Sequence, residues 1–285
     1  MYDFIGDVHG HAEELEALLL KLGYVERSGA YRHFERTAIF LGDLVDRGPF
    51  QKRVIEIVRS MAEAGSAQIV MGNHEFNAIA FFTEDHLGQY LRPRNENNIH
   101  QHAAFLDEFE ADYRSWADVI EWFKELPLWL DFQEFRVVHA CWDHALISRI
   151  EREYGGNRLS EDLLEKSSDK GTWQFDAIET ILKGEEISLP VGHYFHDHNK
   201  TRRTQIRTKW WQDAQTYREA YIGPPSAIPN IPDIEIPGGL AGFSKYNVIV
   251  RAEGETEPAV ETVDGVREPR NRRVRLSVMD RRETT

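Results

Sequence analysis

The sequence predicts an α/β fold. Short apolar runs alternate with segments of helical period, and each early run ends in a polar turn built from Gly, Asp, His and Asn. The runs are apolar at nearly every position, as strands covered on both faces are. "YDFI", from Tyr2, is a strand, and "HAEELEALLLKLG" is a helix. Its Leu15, Leu18, Leu19 and Leu22 fall at helical spacing, and Gly23 ends it. "TAIFL" is a second strand, "QKRVIEIVRSMAEAG" a second helix closing on Gly65, and "AQIVM" a third strand. Further on, "WADVIEWFKELP" is an amphipathic helix stopped by Pro127. "LWLDFQEFRVVHA" is a β-hairpin ending in His139, and "TWQFDAIETILKG" is a later helix.

Between these elements the composition shifts. Residues 83–115 are polar and rich in Asn, His and Glu, with "RPRNENNIHQH" at the centre; they read as a partly helical insertion or cap beside the site. After Ile222 comes "GPPSAIPNIPDIEIPGG", a proline-rich connector expected to lack regular structure. From Arg251 to Thr285 charges of both signs dominate, so 223–285 reads as a connector and a disordered or divergent tail after a main domain over 1–222.

With 285 residues, 41% of them hydrophobic, the chain can bury one large core. A net charge of −14 argues against non-specific grip on nucleic acid, which depends on Lys and Arg neutralising phosphates. The single cysteine, Cys141, permits no internal disulfide and fits a reducing cytoplasm; it reads equally as a small packing residue. No apolar run approaches the roughly 20 residues that span a bilayer, and a strand starting at Tyr2 leaves no room for a signal peptide. The expectation is a cytoplasmic protein with no membrane partner.

The turns after the three strands carry the chemistry: "GDVHG" (Gly6 to Gly10), "GDLVDRG" (Gly42 to Gly48) and "GNHE" (Gly72 to Glu75). Ligands of open α/β sheets bind beyond the carboxyl ends of the strands. Asp7, His9, Asp43, Asp46, Arg47, Asn73 and His74 would therefore meet in one crevice. Asp7, Asp43 and Asn73 offer oxygen and His9 an imidazole nitrogen, a mixed set suited to Mn²⁺, Fe²⁺, Co²⁺ or Zn²⁺. Arg47 would then face an anion bound to the cations, and two ions about 3.5–4 Å apart can clamp a phosphoryl oxygen. Each motif has a plainer reading. "GDVHG" alone is a turn with a helix cap, "GNHE" alone satisfies turn backbone, and Asp46–Arg47 alone is a surface ion pair. The three together, in order and each at a strand end, favour the metal site.

These motifs, with "RVVHACWD" ending near residue 143, resemble the signature of the calcineurin-like metallophosphoesterases of phosphoprotein-phosphatase type. That type includes protein Ser/Thr phosphatases and the bacterial symmetrical diadenosine tetraphosphatases. The resemblance implies two mixed sheets flanked by helices, with an inserted cap, and two divalent ions, Mn²⁺ first among them. It implies Asp7 and His9 on one ion, Asp43 bridging, and Asn73 and His139 on the other. It makes His74 the general acid, Asp46 the residue that holds its imidazole, and Arg47 the phosphate binder. One more metal histidine is implied after a late strand. His193 in "SLPVGHY" is the candidate, with His196, His198 and the more distant His144 beside it; the alternative is a polar loop of exposed histidines.

The function implied is hydrolysis of a phosphomonoester or phosphoanhydride by hydroxide held on the ions, acting on a phosphoprotein or a nucleotide. The alternative is a non-catalytic phosphate- and metal-binding protein with an incomplete second metal site. Glu75 reads as a turn or cap residue. His86, His100 and His102 read as surface or cap residues, and Trp116, Trp122, Trp142, Trp173, Trp210 and Trp211 as packing residues before nucleobase platforms.

Overall fold

The computed structural model describes residues 1–132, 134–196 and 201–241, and the backbone of 248–252 and 274–277. The chain opens with a strand, Tyr2–Ile5 (β1), a helix, Ala12–Lys21 (α1), and a hairpin of Val25–Arg27 (β2) and Ala30–Arg32 (β3). Thr37–Phe40 (β4), Gln51–Glu63 (α2), Ala67–Ile69 (β5) and Asn73–Phe82 (α3) follow. The inserted segment carries Glu96–Gln101 (α4) and Ala103–Phe109 (α5) and leads into Tyr113–Lys124 (α6). Trp129–Asp131 (β6) and Phe135–Val138 (β7) form the expected hairpin, before His144–Tyr154 (α7), Glu161–Ser168 (α8) and Trp173–Lys183 (α9).

β1, β4 and β5 make a parallel sheet with β4 in the middle, in register Phe4↔Ile39 and Ile39↔Gln68. Alternation along the strands divides their side chains between two cores. Ile5, Ala38, Phe40, Ala67, Ile69 and Met71 join the large core beneath the helices. Ile39, Leu41 and Val70 point the other way and meet Val137 of β7, with Phe4, Leu130 and Phe135 packed around them. The structure is thus a sheet-on-sheet sandwich with helices outside, as the fold class requires. Each fully buried aliphatic side chain at that inner face contributes about 1.5–3 kcal/mol.

The second sheet has the order β16-β15-β7-β6, where Val248–Ala252 (β15) runs parallel to β7 and Val274–Ser277 (β16) antiparallel to β15. The remainder of the tail, 253–273 and 278–285, lies outside the described residues. A smaller apolar cluster gathers Leu189, Phe195, Ile206, Tyr221 and Ile231. The elements of this region are Glu186–Ser188 (β8), Phe195–His196 (β9), Arg202–Arg203 (β10), Gln205–Thr208 (β11), Ala214–Thr216 (β12), Tyr217–Ala220 (α10) and Tyr221–Ile222 (β13).

The proline-rich connector is more regular than its composition suggests. Pro225–Asn230 forms a 3₁₀ turn, and Glu235–Leu240 (β14) pairs antiparallel with β12. The register of that pair shifts between Ala214 and Thr216, and the pair is isolated from the other sheets; such an irregular edge tolerates Pro237, which has no N–H to give. Among the described residues no helix is long and apolar enough to cross a membrane.

Candidate metal and catalytic site

The loops after β1 and β4 are sewn together by backbone. Val8 and His9 donate N–H to Asp43 O at 3.0 and 2.9 Å, Gly10 N donates to Leu44 O at 2.8 Å, and Gly48 N donates to His9 O at 2.8 Å. The turns are sharp enough that His9, Asp43, Asp46 and Arg47 take positive φ, between 47° and 70°. A left-handed non-glycine residue costs of order 1 kcal/mol and persists only where its surroundings fix it. Two side chains supply that fixing. The Glu75 carboxylate, fully buried, accepts from Asp43 N at 2.8 Å, Leu44 N at 2.7 Å and Gly72 N at 2.9 Å. Gln51 accepts from Asp46 N at 2.8 Å and donates to Gly48 O. Close approach also demands glycine at Gly42, where a Cβ would run into the backbone of Gly72.

Three imidazoles converge on one carboxylate oxygen. Asp43 Oδ2 lies 3.5 Å from His139 Nε2, 3.7 Å from His9 Nε2 and 4.0 Å from His74 Nε2. Asp7 Oδ2 lies 3.9 Å from His9 Nε2. Two groups of potential ligand atoms share Asp43, one with Asp7 and His139 and one with His9 and His74. The rings differ in what stands behind them. His9 Nδ1 faces Val45 O at 2.8 Å and His139 Nδ1 faces Leu41 O at 2.5 Å. Each carbonyl takes the Nδ1 proton and turns the Nε2 lone pair inward, the arrangement of a metal-ligating histidine. His74 Nδ1 instead faces Asp46 Oδ2 at 2.5 Å.

Electrostatics separates the groups further. Burial, helped by Arg47 and His74, holds the His9 imidazole well below its ordinary pKa, so it is a neutral donor. Burial also lowers His74, but Asp43 and Asp46 outweigh it and raise this imidazole to about 9. Asp7 is pushed up to about 6 by burial and by Asp43 beside it. Burial pushes Asp43 up too, yet His139, His74 and His9 together bring it below the usual carboxylate range.

The residues fit a pair of divalent cations. Asp7 Oδ1 is buried with no hydrogen-bond partner, and the partly buried Asp7 and the buried Asp43 lie beside inward-turned imidazole nitrogens. A cation would satisfy the orphaned oxygen and relieve the repulsion between Asp7 and Asp43. Asn73, half-buried, opens α3 next to His74 at the same loop. Arg47 is exposed at the rim, one residue past Asp46, and its charge is felt by Asp7, His9 and His74.

The structure does not bring His193 to this cluster. It is exposed in a turn where its N–H bonds Pro190 O at 2.9 Å, and it is in neither ligand group. His196 is likewise exposed, and His198 lies outside the described residues. His86 is on the surface beside Glu165, and His100 is exposed in α4. His102 is a correction: it is 4% exposed, and its Nδ1 reaches Asp46 Oδ1 at 2.6 Å. Nothing before it is strand-like, so the motif logic passes over it. The helical stripe His102, Phe105 and Phe109 is the signal that places it on a buried face. Cys141 is fully buried in the large core. Trp116, Trp122, Trp142 and Trp210 are core residues, with Trp173 and Trp211 packed against them.

Comparison with known proteins agrees with this geometry. The family described as "Calcineurin-like phosphoesterase" matches residues 2–226. The bis(5'-nucleosyl)-tetraphosphatase PrpE [asymmetrical] of Oceanobacillus iheyensis is 34% identical over 148 residues, 48% of this chain and 54% of that protein. The protein of the same name from Geobacillus thermodenitrificans is 33% identical over 175 residues, 60% of this chain and 69% of the other. The chain thus spans about half the length of the first relative. Among solved structures, a metallophosphoesterase from Sphaerobacter thermophilus aligns with a TM-score of 0.33 and 24% identity over 49% of this chain and 46% of that one. The family match runs through the first sheet, β6 and β7 of the second and all the strand-end loops that build the site, and the chain belongs to the calcineurin-like phosphoesterase family.

Proposed function

We propose that the protein is a metal-dependent hydrolase of phosphoric esters or anhydrides, loaded with two divalent ions, Mn²⁺ foremost. The observation that carries this reading is the contrast among the three imidazoles around Asp43: two are backed by carbonyls and one by a carboxylate. Two ions held by Asp7, His9, Asp43, Asn73 and His139 supply Lewis acidity towards water and the phosphoryl oxygens. The chain's own groups do the rest. His74 is held by the Asp46 carboxylate at Nδ1, which favours its protonated ring, and gives the Nε2 proton to the leaving oxygen. Asp46 orients that ring. Arg47, at the rim, binds the non-transferred phosphoryl oxygens as a forked cation.

For substrate, the names of the PrpE relatives favour a dinucleoside polyphosphate, with a phosphoprotein as the second class. The buried lone cysteine is consistent with a reducing, cytoplasmic setting. The test is turnover by the Mn²⁺-loaded protein of an aryl phosphate, diadenosine tetraphosphate and a phosphopeptide, with His74→Asn as control. Loss of turnover in that variant at full metal occupancy supports the reading. A wild-type protein that holds both ions and turns over none of the three sinks it.

A second reading, a phosphate-binding protein without turnover, draws support from His193, which lies exposed and outside the ligand groups. Metal stoichiometry decides between them: one tightly bound ion per chain with no turnover favours binding. An unchanged two ions in His193→Ala removes His193 from the ligand set.

A further inference from the structure

Asp46 is gripped on both oxygens. Oδ2 receives His74 Nδ1 at 2.5 Å and Oδ1 receives His102 Nδ1 at 2.6 Å, while its backbone N–H is taken by Gln51. His102 comes from the inserted segment, at the junction of α4 and α5. Its ring stacks on Phe105, centroids 4.5 Å apart with planes at 17°, and leans on Phe81 at 5.3 Å. The other nitrogen, Nε2, is buried with no hydrogen-bond partner. For packing alone an apolar ring would fill this place without a stranded polar atom. What a histidine adds is the Nδ1–H directed at Asp46. A carboxylate held by one donor can still turn about its Cβ–Cγ bond, whereas a second donor on the opposite oxygen fixes its plane. The plane of Asp46 in turn sets the direction of the His74 ring.

We propose that His102 is a positioning residue for the reaction: through Asp46 it aims the imidazole of His74, so the inserted segment is part of the catalytic apparatus. The inference rests on the reading of His74 as proton donor to the leaving oxygen. It adds that the 83–115 segment, through His102, sets how well that proton is delivered.

Two substitutions at one position separate aiming from packing. His102→Phe keeps the stack on Phe105 and removes the donor. His102→Asn keeps a donor near the Nδ1 position and gives up the stack. Both are assayed as Mn²⁺-loaded proteins on p-nitrophenyl phosphate, whose leaving group needs little protonation, and on an alkyl phosphate, whose leaving group needs it most. His102→Phe is expected to lower kcat on the alkyl ester by about tenfold and on the aryl ester by clearly less, with KM nearly unchanged; His102→Asn is expected to retain most of both. Equal losses on the two esters, or a Phe variant as active as wild type, or an Asn variant no better than Phe, would each overturn the proposal.

Should His102→Phe not fold, nitrogen-detected NMR of the wild-type histidines serves instead. A slowly exchanging His102 Nδ1–H that disappears in Asp46→Ala is the expected result, and its absence from the wild-type spectrum counts against the idea. If wild-type protein hydrolyses neither ester nor diadenosine tetraphosphate nor a phosphopeptide, the hydrolase reading fails, and the NMR result still decides the His102–Asp46 contact.

Discussion

Nε2 of His139 lies 3.5 Å from Oδ2 of Asp43, and the two residues sit just past strands of different sheets. An ion held by both fastens one sheet to the other. Saturation with Mn²⁺ is therefore expected to raise Tm, by a stabilisation of about 2.7 kcal/mol at a hundredfold excess over Kd. His139→Ala should lose most of that rise. Thermal unfolding with and without Mn²⁺ measures both, and an identical rise in the variant would count against the shared ion.

The Asp7 carboxyl, raised from 3.8 to about 6, makes a pH-dependent prediction with a definite sign. In metal-free protein the folded state favours protonated Asp7. That contribution is complete below the unfolded pKa and is lost as pH rises through about 6, at a cost of roughly 3 kcal/mol above it. A cation removes the penalty by favouring the carboxylate. Mn²⁺ should thus raise Tm more at pH 7.5 than at pH 5, and binding at pH 5 should release more protons. Calorimetry in buffers of different ionisation enthalpy checks the second point, and a pH-independent rise in Tm would contradict the first.

Asp46 and Asp43 hold the His74 imidazole near 9 against burial. As a proton donor it works below its pKa, which cations beside Asp43 set lower in the loaded enzyme than in the metal-free protein, so kcat should decline on the alkaline side. Asp46→Asn removes one anion and lowers the pKa. The alkaline limb should move to lower pH, and kcat at pH 8 should fall by about 10- to 100-fold. The pH–rate profile of the variant measures this; an alkaline limb that stays in place would show that Asp46 does not tune His74.

Glu75 accepts three backbone N–H groups from two different loops. Glu75→Ala would leave those buried donors unpaired, at about 1 kcal/mol or more each. A loss of about 3 kcal/mol in urea unfolding is expected, together with weakened metal binding, since Asp43 takes its backbone position from that carboxylate. A variant as stable as wild type would assign the strained turns to some other support.

The residues legible in the sequence are those whose position follows from local pattern. Asp7, His9, Asp43, Asp46, Asn73 and His74 each stand just past an apolar run, and His139 ends a fourth, so strand geometry alone gathers them. The pattern passes over His102 because its burial against Asp46 depends on where a helix from the insertion packs, and it sits among polar neighbours. Glu75 was read as a cap, and it is one for α3, but its reach across to Asp43 and Leu44 comes from tertiary folding. The strands β2 and β3 are three residues each, too short for a period to register. β14 carries Pro237 and two glycines, which mask an extended segment whose pairing partner lies upstream.

The parallel pairing of β7 with β15 has a consequence for biogenesis. β7 leads directly to His139, yet its neighbour arrives from far downstream, after the helices α7 to α9 and the smaller apolar cluster have been made. Until then the emerging polypeptide exposes one open strand margin, a template for wrong pairing. Distant contacts of this kind slow folding. Substitutions that weaken residues 248–252 should accordingly reveal themselves first as poor yield of nascent protein, before any change in how tightly the finished molecule holds its ions.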